Sequence, residues 1–97
     1  MKVVINRFYG GAFDLSKEAQ KDLKIDKKWY YPNGKYYFEE DARTYQPLID
    51  LIEQKGSKYV SGDCSELKIV EIPDSVNWYI SDDDGMETIE EEHRIWY

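Results

Sequence analysis

The sequence predicts a small α+β domain, in which a mixed sheet (an N-terminal strand, a central aromatic hairpin and C-terminal strands) packs with two helices. Three observations carry this. β-Branched residues crowd the runs Val3-Val4-Ile5 and Lys68-Ile69-Val70-Glu71-Ile72. Two dipeptides, Asn33-Gly34 and Asp84-Gly85, are strong hairpin-turn signals. Apolar residues recur at three- and four-residue spacing around Leu15 and again around Leu48. A chain of 97 residues is one domain's length, 1–97, and supports one core.

Residues 2–7, KVVINR, form the first expected strand, bounded by Gly10-Gly11. Ser16 can cap a short helix over about 17–25, because its hydroxyl accepts from an otherwise unpaired backbone N–H; Leu15, Ala19 and Leu23 share one face. Between Lys27 and Phe38, aromatic runs flank Asn33-Gly34, whose residues tolerate the positive φ angles of a two-residue turn. This segment reads as an aromatic β-hairpin, with Pro32 marking its first strand as an edge. A second helix starts near Thr44 or Gln46, takes Pro47 in its first turn, buries Leu48, Leu51 and Ile52, and stops at Gly56.

The last third reads as strands. Leu67–Ile72 ends at the turn Pro73-Asp74, and Val76, Trp78 and Ile80 alternate with Asn77 and Tyr79. After Asp84-Gly85 two templates compete. Met86, Ile89, His93 and Trp96 fit a helical face, whereas Ile89, Glu91, His93 and Ile95 fit a strand; the preceding turn and the Ile95-Trp96-Tyr97 ending favour the strand.

Hydrophobic residues make up 41% of the chain and aromatics 15%, which separates it from a disordered acidic polymer. No apolar run approaches the length of a membrane span, and the opening MKVVINR predicts no secretory leader. The one cysteine, Cys64, cannot form an internal disulfide, so the expected compartment is the reducing cytoplasm. Net charge is −7 and unevenly spread. Residues 1–36 carry eight basic and four acidic side chains, net +4; residues 37–97 carry five and sixteen, net −11. Asp82-Asp83-Asp84 and Glu90-Glu91-Glu92 dominate the acidic part. Such a surface repels duplex DNA and attracts a basic protein surface, and it also serves plain solubility.

Few residues point to chemistry. The Gly10-Gly11 loop, read as a strand-to-helix connection, could bring backbone N–H groups to an anion, with Asn6, Arg7, Tyr9, His93 and Arg94 as added polar contacts. It matches neither dinucleotide nor P-loop spacing, and a tight turn explains the glycines equally well. His93 is the only histidine and lacks a nucleophile or second ligand in any motif, so no catalytic residue is assigned. Cys64 lies between Asp63 and Glu66, which disfavour a thiolate. Asp82-Asp83-Asp84-Gly85 lacks the spacing of a calcium loop, and one His with one Cys makes no zinc site, so no metal or cofactor is expected. Trp29, Tyr31, Tyr36 and Phe38, with Lys27, Lys28 and Lys35 around them, suit a protein-binding hot spot and, less well, a stacking platform for single-stranded bases.

The chain resembles a group of short phage- and prophage-encoded proteins. The resemblance rests on KVVIN with Tyr9-Gly10-Gly11 and Leu15-Ser16, Arg43-Thr44, KIVEIP at 68–73, Trp78-Tyr79-Ile80, Asp84-Gly85 and His93-Arg94-Ile95-Trp96. It spans most of the chain, with the aromatic hairpin as an insertion. The group carries a Cys before Tyr-Gly-Gly where this chain has Phe8, and the loop Gly11-Ala12-Phe13-Asp14 is one residue longer here. The resemblance implies a phage-encoded accessory protein acting in an infected bacterium and carries over no activity. The function expected is therefore a non-enzymatic factor that binds and modulates a host or phage protein with a basic surface, for example a nucleic-acid-targeting defence protein, as anti-CRISPR proteins do. Its acidic contacts would be Asp82, Asp83, Asp84, Glu90, Glu91 and Glu92. The alternative is a binder of a small anion or nucleotide at Gly10-Gly11.

Overall fold

A computed structural model describes residues 1–24, 42–91 and 94–97. The elements are β1 (Lys2–Asn6), α1 (Lys17–Leu23), α2 (Gln46–Lys55), α3 (Ser57–Val60), β2 (Leu67–Glu71), β3 (Tyr79–Asp83), β4 (Met86–Glu91) and β5 (Arg94–Trp96). The fold is α+β, and its strands divide between two antiparallel sheets, β1–β2 and β3–β4–β5. The segment 27–38, read as an aromatic hairpin with Trp29, Tyr31, Tyr36 and Phe38, lies outside the described residues, as do Glu92 and His93.

β1 explains the layering. Successive side chains of a strand point to opposite faces, and Val3, Val4 and Ile5 are all fully buried. Both faces of β1 are therefore covered, which is why its sequence is a continuous apolar run. Val4, with Leu67 and Ile69 of β2, joins Phe13, Leu15, Ala19, Leu48, Ile49, Leu51, Ile52 and Val60 in a helical cluster. Val3 and Ile5, with Val70 and Ile72, join Ile89, Ile80, Val76, Trp78 and Trp96. The expected single core is thus two clusters separated by the β1–β2 layer.

The helices follow their local signals. The Ser16 hydroxyl accepts from the Ala19 N–H at 3.1 Å, and Lys24 ends α1 in the left-handed region at φ 56°. α2 carries Pro47 in its first turn and buries Leu48, Leu51 and Ile52 as expected, with Ile49 added. Gly56, at φ 90°, closes α2 by donating to the Ile52 carbonyl. The single turn of α3 was not legible; its Ser57 hydroxyl donates to the Leu67 carbonyl and so ties the turn to β2.

After the Asp84-Gly85 turn the described residues are strand at Met86–Glu91 and Arg94–Trp96. β3 and β4 pair from Tyr79↔Glu90 to Asp83↔Met86, leaving Asp84 (φ 53°) and Gly85 (φ 90°) as a two-residue turn with both φ angles positive. β3 starts at Tyr79, later than the alternation from Val76 suggests, yet Val76 and Trp78 still pack against the second cluster. None of the described helices is long and apolar enough to cross a membrane.

Candidate functional site

The Gly10-Gly11 loop lies in the connection from β1 to α1, as expected, but α1 begins only at Lys17, so the glycines do not sit at the helix N-terminus. Its amides are used inside the chain: Gly10 donates to the Asp84 carbonyl, Gly11 to Phe8 and Ala12 to Cys64. Gly11 and Gly85 serve close packing, whereas Gly10 sits at φ 80° with open space around it. A Cβ on Gly11 would overlap the Cys64 carbonyl, and a Cβ on Gly85 would overlap the backbone of Gly11. Asn6, fully buried, locks the same junction. Its Nδ2 donates to the carbonyls of Phe8 (3.3 Å) and Gly85 (2.7 Å), and its Oδ1 accepts from the amides of Phe8 (3.1 Å) and Glu66 (2.8 Å). Arg7 donates to the Glu87 carbonyl at 2.8 Å and lies 4.7 Å from the Tyr97 ring centroid. Arg94 pairs with Glu91 at 3.3 Å. Of the residues read as an anion cradle, Asn6, Gly10 and Gly11 thus hold the β1 end against the β3–β4 turn, and Arg7 ties it to β4.

Beside this junction lies a buried ion pair with no counterpart in the sequence reading. Arg43 and Glu87, 1% and 4% exposed, meet through two parallel bonds, Nη1 to Oε1 at 2.5 Å and Nη2 to Oε2 at 2.8 Å. Arg43 stacks on Phe13, 3.9 Å from its centroid. The pair also closes a sheet edge. Met1 accepts from Ile72 and Arg7 donates to Glu66, so odd-numbered backbone groups of β1 face β2 and even-numbered ones face away. On that free edge Arg43 donates to the Val4 carbonyl (3.3 Å) and the Asn6 amide donates to Glu87 Oε1 (2.6 Å). One donor and one acceptor stand where a third strand would pair, satisfying buried backbone groups that would otherwise be stranded.

The exposed chemistry lies on the other side of β4. The register sets Tyr79, Glu90 and Ile95 in one row across β3, β4 and β5. Ile80, Ile89 and Trp96 form the adjacent row on the inner face, within the second cluster. The outer row is open: Tyr79 is 56% and Ile95 59% exposed. Tyr97, past the end of β5, and Phe8 and Tyr9, next to the β3–β4 turn, add further exposed rings.

The acidic residues do not form one cluster. Asp82, Asp83 and Asp84 are exposed at the turn end of the hairpin, and Asp82 accepts from the Gly85 amide. Glu90 and Glu91 stand at the opposite end of β4, roughly 13–16 Å away at the rise of a strand. Glu90 Oε2 accepts from the Thr88 hydroxyl at 3.1 Å.

Elsewhere the chemistry is sparse. Cys64 is exposed, and its carbonyl rather than its thiol is engaged, by the Ala12 amide. An open cleft beside α1 mixes Lys17 with Asp14, Glu18 and Asp63. Among the described residues no group of three His, Cys, Asp or Glu could hold a metal ion. The pairing of Arg43 with Glu87 escaped the sequence reading, although strand alternation from Ile89 places Glu87 on the apolar face. Comparison with models of protein families, with curated proteins and with solved structures finds no match to this chain.

Proposed function

We propose that this chain is a non-enzymatic protein-binding factor that engages a partner with a basic surface through exposed carboxylates and aromatic side chains. The observation that carries the reading is the outer face of the β3–β4–β5 sheet, where Tyr79 and Ile95 stand exposed around Glu90 while Asp82, Asp83 and Asp84 crowd the turn of the same hairpin. Exposed aromatics are the residue type that dominates binding hot spots, and surrounding carboxylates accelerate encounter with a cationic surface. The resemblance to short phage-encoded proteins favours a bacterial host protein as the partner, with a defence protein that grips nucleic acid as the leading class, since such a protein presents a basic groove. The alternative, an anion site at Gly10-Gly11, is less favoured because the amides of Gly10, Gly11 and Ala12 already donate within the chain.

The test is retention of host proteins on the tagged chain at low salt, repeated with Asp82, Asp83, Asp84, Glu90 and Glu91 all replaced by Lys. A stoichiometric partner should be retained by the native chain, released as salt screens the charges, and lost with the reversed chain. Retention unchanged by the reversal would refute the acidic-surface reading. A melting temperature raised by a nucleotide, with no protein retained, would transfer the function to the Gly10-Gly11 loop.

A further inference from the structure

We infer that the outer face of the β3–β4–β5 sheet reads an arginine side chain on the partner protein, with the Glu90 carboxylate as acceptor and Tyr79 and Ile95 as flanking walls. The inference rests on the protein-binding reading and names the chemistry of its contact.

Directly opposed residues on one face of a sheet hold their Cβ atoms about 5 Å apart. The row Tyr79–Glu90–Ile95 therefore sets an aromatic ring, a carboxylate and a branched aliphatic chain side by side. Thr88, two residues before Glu90 and on the same face, donates its hydroxyl to Oε2 and so restricts the carboxylate before any partner arrives. Among the described residues no cation pairs with Glu90. A guanidinium is the cation that matches all three neighbours. Its fork meets a carboxylate through two bonds, its flat face lies on a tyrosine ring, and its methylene stem covers an aliphatic side chain. A lysine ammonium is a more strongly hydrated point charge and matches only the carboxylate.

The chain builds this constellation within itself on the opposite face of the same strand. There Arg43 meets Glu87 through two bonds with its guanidinium on the Phe13 ring. A second copy of the chain is a poor source for the outer arginine. Copies of net charge −7 repel, Arg7 is held by the Glu87 carbonyl and Tyr97, and Arg94 is paired with Glu91. Nucleic acid is a poor occupant because it would bring phosphates to carboxylates. A basic protein segment fits, since Asp83 lies on the same face roughly 13 Å along the strand direction, within reach of another basic side chain four residues away in an extended segment.

The experiment titrates the ¹⁵N-labelled full chain with a blocked nonapeptide of Ser and Thr carrying arginines at its third and seventh positions, and with its lysine counterpart. The inference expects amide shifts at Tyr79, Thr88, Glu90 and Ile95, with arginine bound at least about threefold tighter than lysine. Glu90→Gln should weaken the arginine peptide about tenfold or more and Tyr79→Ala about threefold, while both spectra stay dispersed. Shifts confined to Asp82–Asp84 and equal for both peptides would overturn it. So would the absence of shifts at millimolar peptide, or shifts at the same residues on concentrating the chain alone, which would mark self-association. A captured partner that is lost with Asp82, Asp83 and Asp84 reversed but keeps full affinity for Glu90→Gln overturns the arginine contact alone. The lack of any salt-sensitive partner overturns the protein-binding reading beneath it.

Discussion

Glu87 and Glu90 stand three residues apart on one strand and face opposite ways. Glu87 points inward, where Arg43, the Asn6 amide and the Phe13 ring complete its surroundings. Glu90 points outward between Tyr79 and Ile95, and among the described residues its side chain has only the Thr88 hydroxyl as a partner. The same side chain thus does two jobs, and the period of two along β4 assigns them. Inside, a carboxylate is tolerated because every demand it makes is met by the fold. Outside, the unmet demand remains available to something else.

The comparison breaks most sharply at the inner carboxylate. Glu87→Gln leaves the Arg43 charge buried without its counter-ion, and truncation of one partner of such a pair costs about 3–5 kcal/mol. Urea unfolding should show this loss. Arg43→Met with Glu87→Leu, which removes both charges, should recover part of it, although the Val4 carbonyl and Asn6 amide lose their side-chain partners. A double variant less stable than Glu87→Gln would show that closing the sheet edge matters more than pairing the charges.

A smaller loss is expected where the β3–β4 turn meets the β1 end. Gly85→Ala forces a side chain into φ 90° and against the Gly11 backbone, for a destabilisation of about 2 kcal/mol or more by the same measurement. Glu90→Gln, by contrast, breaks no buried ion pair and should change stability by less than about 0.5 kcal/mol, while reducing partner affinity. A large stability loss there would erase the distinction between the two faces.

The smallest effect concerns an exposed ion pair, the surface counterpart of Arg43–Glu87. Lys2 meets Glu53 at 3.0 Å, and the hydrogen bond and charge of that carboxylate raise the Lys2 ammonium above its ordinary value of 10.5. A raised folded-state value means the contribution is fully present below about 10.5 and lost as pH rises through the folded value. Lys2→Met should therefore narrow the fall in stability on that alkaline limb, a difference read by denaturant titration across pH.

Much of the architecture was legible in the residues. α2 announced itself through Pro47, its apolar stripe and Gly56, and the β3–β4 turn through Asp84-Gly85, because in both cases local geometry and side-chain choice agree. The split into two sheets was not, since strand patterns state which faces are buried and not which strands pair. The site divides the same way. Asp82, Asp83 and Asp84 could be read as exposed acids from their setting, whereas Glu87 hides in METIEEEHR as one more carboxylate. Its partner, Arg43, is 44 positions away in the chain, and no local signal links the two. Tyr79 and Ile95 carry no mark either; their neighbourhood around Glu90 exists only once the register of three strands is set.

The middle layer also governs how the molecule can come into being. β1 and β2 are bonded from Lys2↔Glu71 to Asn6↔Leu67, so during synthesis β1 finds its partner only after about 60 further residues have followed it. Until then Val3, Val4 and Ile5 have no strand to pair with, and closing so long a loop is an entropic cost met before either cluster can form. Formation of this pairing is the step expected to set the folding rate, and the waiting N-terminal strand is the point at which a nascent or unfolded chain is most open to aggregation.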